Sequence, residues 1–162
     1  MTTDAPARRQ LVTFEAAGEL LAADIFSVER VLRYEVPRLL PNAASWLRGV
    51  IAHGGAAIPV VDLRERLGLA AAPPGEQARI LVMVVGEERI GLIVDAVRAV
   101  RTVEAAEIEL PPAIYRGLAR EYLEGIVRHG DELCIVLAAA RILSTTERLE
   151  MARAMAPEAG DG

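Results

Sequence analysis

His53 and His129 are the only histidines in the chain, and the same phrase surrounds both. "GVIAHGGAAIPVVDLRERLG" covers residues 49–68, and "GIVRHGDELCIVLAAARILS" covers residues 125–144. A histidine can bind a metal or move a proton. A metal centre needs three or four suitable ligands, and neither H-x-x-x-H nor C-x-x-C occurs. Each His instead precedes a glycine, Gly54 or Gly130, and reads as the residue ahead of a turn glycine with φ > 0. The single cysteine, Cys134, sits within "LCIVL" and reads as a small buried hydrophobe. It cannot form an internal disulfide, which suits a reducing compartment. Asp24, Asp62 and Asp95 each close an apolar stretch; they could pair as acid and base, but their positions suit caps and turns. The chain has no G-x-S-x-G elbow, no phosphate loop and no dinucleotide fingerprint. All 18 basic residues are Arg, so lysine-based Schiff-base and phosphate-loop chemistry is excluded. The sequence offers no catalytic constellation. No cofactor and no metal are expected.

Composition narrows the remaining classes. Net charge is −5 and aromatic content 4 %, whereas a nucleic-acid binder shows a basic face, with aromatics where it stacks single strands. No nucleic-acid partner is expected. The start, "MTTDAPARRQ", does not read as a signal peptide. The longest apolar run, Leu133 to Ala140, falls far short of the roughly 20 residues of a spanning helix. A cytoplasmic protein without direct membrane insertion is expected.

The elements that must position these residues are short strands. Residues 1–9 read as a disordered leader. "QLVTFEAAGELLAADI" is a hairpin turning at Ala17-Gly18-Glu19, and "NAASWLRG" reads as a short helix capped by Asn42. "DLRERLG" is a helical turn ended by Gly68. Residues 69–79 form a Pro/Gly linker. The pattern then repeats: Leu11-Val12 matches Leu81-Val82, and Val28-x-x-Val31 matches Val97-x-x-Val100. Trp46-Leu47-x-Gly49 matches Tyr122-Leu123-x-Gly125, with extra residues near Pro111 and Pro112. Two copies of a small β module follow, one lobe at about 10–68 and the other at about 80–144. A lobe of roughly sixty residues is marginal alone, so the two should pack together and leave a groove. The tail at 145–162 opens with a capping box, Ser144 with Glu147, and continues as a short helix bearing Leu149, Ala152 and Met155 near one face, then a frayed end. Read singly, Val28, Val31, Val97 and Val100 are core residues as readily as surface.

In order, "LVTF…G…DIFSVERV", "P…P…WLRGVI", "IPVVDLRERLGL", "GLIVDAVRAV", "LPP" and "YLEGI" resemble the CheW family of bacterial chemotaxis coupling proteins, over residues 10–144. The resemblance implies an all-β fold of two tandem SH3-like five-stranded barrels; the repeat relates them by a pseudo-two-fold, and the tail adds the short C-terminal helix. It implies a non-enzymatic adaptor that joins the chemoreceptor cytoplasmic tip to the regulatory domain of a CheA-like histidine kinase. It places Val12, Ile25, Val28 and Val31 in the receptor groove, and the repeat adds Val97 and Val100. The family's G-V-I-N-L-R-G hairpin is here Gly49-Val50-Ile51-Ala52-His53-Gly54-Gly55, so the coupling Asn and Arg are Ala52 and Gly54, around His53. The V-x-E-V acid is Arg30, and the second-lobe L-D is Leu137-Ala138. These departures point to a specialised pathway, such as one serving type IV pili. A small-ligand or nucleic-acid binding β-barrel is the rival reading.

Overall fold

The computed structural model describes residues 7–41, 43–110 and 120–155. Among the described residues ten strands form: β1 (Arg8–Ala16), β2 (Glu19–Asp24), β3 (Val28–Arg33), β4 (Leu47–His53), β5 (Ala56–Asp62), β6 (Arg79–Val85), β7 (Glu88–Val94), β8 (Ala96–Glu104), β9 (Leu123–His129) and β10 (Glu132–Leu137). Two helices accompany them, α1 (Leu63–Leu67) and α2 (Thr145–Met155). None is long and apolar enough to cross a membrane.

The ten strands make two five-stranded sheets, ordered β8-β1-β2-β10-β9 and β3-β6-β7-β5-β4. Each sheet closes on itself through one antiparallel bridge. Arg38, beyond β3, pairs with Val50 on β4; Glu109, beyond β8, pairs with Ile126 on β9. Both bridges sit beside a repeat-matched glycine. A Cβ on Gly49, whose φ is 143°, would lie 2.2 Å from the Arg38 carbonyl oxygen. A Cβ on Gly125 would lie 2.8 Å from the Glu109 carbonyl oxygen and 2.5 Å from Ile108 Cγ2. The repeated L-x-G therefore records a barrel seam.

The repeat is real, but the expected lobes at 10–68 and 80–144 are not the two barrels. Each barrel takes strands from both halves: β1 and β2 join β8, β9 and β10, while β6 and β7 join β3, β4 and β5. Residues 69–79 connect elements of one barrel. The chain crosses between barrels at the 3-10 turn Ile25–Ser27 and at Asp95. Parallel pairings, β2 with β10 and β5 with β7, carry the exchange. Such long-range pairings leave no local signature in sequence.

The exchanged strands are buried on both faces, which is why they read as apolar runs. Along β10, Cys134 and Val136 fill the first barrel, while Ile135 and Leu137 enter a core that also takes Leu81, Met83, Ile90 and Leu92 from the second. Along β6, Ile80 and Val82 fill the second barrel's interior. Burial pushes the Cys134 thiol up to about 11, consistent with a packing role.

Three local expectations need correction. Arg8 and Arg9 belong to β1 rather than a leader; Arg9 reaches Asp24 at 3.0 Å and Glu124 at 2.6 Å. Asn42 lies outside the described residues, and 43–46 form no helix: the Leu47 N–H donates to the Ala44 carbonyl, and β4 starts at once. So short a helix has little propagation to offset its nucleation, whereas Leu47 pairs with Val61 and is buried. The repeat's extra residues at Pro111 and Pro112, too, lie outside the described residues. In α2 the Ser144–Glu147 capping box forms, but Met151 is the buried residue and Leu149 is exposed.

Ion pairs set that rotation. Glu147 meets Arg66 at 2.6 Å and Arg148 meets Glu88 at 2.9 Å. The Arg66 guanidinium also lies 5.7 Å from the Trp46 ring and 5.1 Å from the Tyr122 ring, the repeat-matched aromatics, and donates to the Ile142 carbonyl at 2.9 Å. It thereby joins α1, the starts of β4 and β9, and α2. Burial raises the Glu147 carboxyl, but the Ser144 N–H and Arg66 outweigh this and hold it below its ordinary range. A lowered carboxyl pKa contributes stability above its unfolded value, and the contribution is lost as pH falls through the folded value. Arg66→Ala should therefore cost about 2 kcal/mol of stability and flatten the acid limb of the stability-versus-pH profile, both readable by urea titration between pH 3 and 7. An unchanged midpoint and limb would mean the clamp contributes nothing.

Candidate partner-binding groove

β3 and β8, the repeat-matched strands, are the terminal strands of their sheets. On β3, Val28 stands opposite Met83 and Val31 opposite Leu81. On β8, Val97 stands opposite Phe14 and Val100 opposite Val12. Directly opposed residues share a face. Met83, Leu81 and Phe14 all belong to the shared core, and Val28 and Val97 pack at its margin, half-buried. Val31 and Val100 lie further out, at 45 % and 54 % exposure. Two apolar rows, one per barrel, thus flank the shared core. Val12 is buried beside Val100 and supports the row from below.

Ile25 sits in the crossing turn, half-buried, where that turn packs against β1, β3 and β6. Asp24 caps the turn by accepting the Phe26 N–H at 2.9 Å. Phe26 is 90 % exposed. Sequence reading missed it, because an aromatic next to Ile25 looks like core; the chain's other Phe, Phe14, is fully buried.

Polar contacts fix the second crossing between barrels. Asp95, at the second crossing, accepts from Arg64 Nη2 at 2.7 Å, Arg64 Nε at 3.2 Å and the Ala17 N–H at 2.8 Å. This fixes α1, the β1–β2 turn and the start of β8 together. The contact with Ala17 also holds that residue at φ 52°. Burial raises the Asp95 carboxyl, but Arg64 and the Ala17 amide outweigh it, so it stays ionised below the usual range. Asp62 caps α1 through the Arg64 N–H at 3.0 Å. The three aspartates are caps and ties, not an acid–base pair.

The two histidine hairpins stand apart as the expected turns. His53 pairs with Ala56 across Gly54 and Gly55, whose φ values are 60° and 79°. His129 pairs with Glu132 across Gly130, at φ 62°, and Asp131. Ala52 and Gly54 are exposed. Among the described residues, no group of three or more His, Cys, Asp or Glu could hold a metal ion.

The two valine rows beside the shared core leave Val31 and Val100 exposed on a face that an apolar partner surface could cover. The CheW-like domain family model matches residues 10–147. Protein FrzA of Myxococcus xanthus is 30 % identical over 155 residues, spanning 94 % of this chain and 96 % of that one. The chemotaxis protein CheW of Treponema pallidum is 29 % identical over 147 residues, spanning 88 % and 86 %. The crystal structure of the scaffolding protein TtCheW from Thermoanaerobacter tengcongensis superposes with a TM-score of 0.80 at 28 % identity, covering 91 % of this chain and 95 % of that one.

Proposed function

This chain belongs to the CheW-like family of chemotaxis coupling scaffolds, and from that premise we propose that it holds a chemoreceptor's helical tip in the groove between β3 and β8 while binding the regulatory domain of a CheA-like histidine kinase. The observation that carries this reading is the matched pair of valine rows, Val28 with Val31 and Val97 with Val100, beside a core shared by both barrels. A helix laid along them would cover Val31 and Val100 and gain affinity from apolar anchors. The protein acts without catalysis, by holding receptor and kinase in one assembly. A pull-down of the kinase encoded nearby tests the kinase contact. Failure to retain it, or ATP hydrolysis by this chain alone, would contradict the reading.

The Ala52-His53-Gly54 hairpin supports a specialised partner pair. An Arg on the family's hairpin offers a fork of donors for carboxylates, and this chain has none there. Restoring Asn-Leu-Arg at 52–54 should strengthen binding to a standard kinase regulatory domain roughly tenfold. The gain is measured against a backbone cost, because residue 54 has φ 60°, where a side chain costs about 1 kcal/mol. Tight binding before the change, with no gain after it, would show the loop to be neutral.

A further inference from the structure

Resting on the groove reading above, we propose that the groove ends in an anion-reading pair, Arg33 and Arg79, that selects a partner helix carrying a carboxylate beyond its apolar stripe. The β3–β6 ladder sets Val28 against Met83, Val31 against Leu81, and then Arg33 against Arg79. The three pairs share one face, so the apolar row runs directly into two opposed arginines. Like charges directly opposite one another on a sheet repel. None of the ion pairs among the described residues includes either Arg. Arg79 donates only to the backbone carbonyls of Glu76 and Ala78, at 3.4 and 2.8 Å. Arg33 is exposed.

Arg79 also reaches the β8 side. Arg79 lines a cleft of about 510 Å³ with Gln77, Glu15, Ala96, Val97 and Arg98. Glu15 is already taken by Arg98, so the open charge in the cleft is positive. This occurs in a chain of net charge −5, so the patch is not a background of basic surface. An acidic side chain on the docked helix would neutralise both guanidinium groups, and bidentate Arg–carboxylate geometry adds orientation as well as affinity. The pair thus gives the groove a direction, because a helix laid in reversed would leave both cations unpaired.

The probe is the purified helical-hairpin tip of a chemoreceptor from the same genome, titrated against the full chain. The double variant Arg33→Glu/Arg79→Glu should bind at least tenfold more weakly, and the difference should shrink in high salt. Changing the tip's flanking acid to Arg should restore binding to that variant. Arg79→Gln should leave the melting temperature unchanged or raise it, since it removes a repulsion; a clear fall would mean the pair is structural and would overturn the proposal. Unchanged tip binding by the double variant, with binding lost in Val31→Asp, would refute the charge pair while leaving the groove intact. Unchanged binding in both would refute the groove and this proposal with it. Duplex DNA bound by the wild type and lost in the double variant, with tip binding kept, would assign the pair to a polyanion and equally overturn it.

Discussion

Val31→Asp will weaken binding of a chemoreceptor tip by about 2 kcal/mol, roughly thirtyfold, and leave the fold intact. Val31 is 45 % exposed in the free protein, so a carboxylate there stays hydrated until the partner covers it. On docking it would be desolvated against Leu81 and the incoming helix, and it would compete with the partner's own carboxylate for Arg33 and Arg79, which follow on the same ladder. Val28 is the less clean probe. It packs at the margin of the shared core opposite Met83, so Val28→Asp should lower both stability and binding. Calorimetric titration together with a melting curve separates the two. Normal binding by a folded Val31→Asp variant would place Val31 outside the contact.

Gly49→Ala will cost about 3 kcal/mol or more of stability. The added carbon would meet the Arg38 carbonyl at 2.2 Å, and φ at this position is 143°. Backbone must move, and the Arg38–Val50 bridge that closes the barrel is the contact in its way. For a chain of this size the melting temperature should fall by roughly 10 °C. Gly54→Ala is the control: φ is 60° but nothing lies within 4 Å, so the loss should be about 1 kcal/mol. Equal effects of the two substitutions would show that the seam does not matter.

Much of this was legible in the sequence, because local rules govern it. The Gly18, Gly54, Gly68 and Gly130 turns, the Asp62 cap and the Ser144–Glu147 box each depend on a few neighbouring residues. The repeat was readable because alternation and turn spacing recur. The strand exchange was not, since the partners of β2 and β5 lie far along the chain and their apolar runs suit any doubly buried strand. The valine rows were placed by family pattern rather than by physics. Val28 and Val31 are chemically alike, and only the fold leaves one at the core margin and the other in solvent. Phe26 and the Arg33–Arg79 pair went unseen for the same reason: exposure and cross-strand register are tertiary facts. The rotation of α2 was misjudged because Arg66 and Glu88, which orient it, come from other elements.

The most direct test of the central claim is a reconstitution of kinase, receptor tip and this chain, reading kinase autophosphorylation with each component omitted in turn. If the chain is a coupling scaffold, phosphorylation will change on adding receptor only when the chain is present, and Val31→Asp will abolish that dependence without altering the kinase's own rate. A kinase that responds to receptor equally well without the chain, or that ignores receptor with it, would contradict the account.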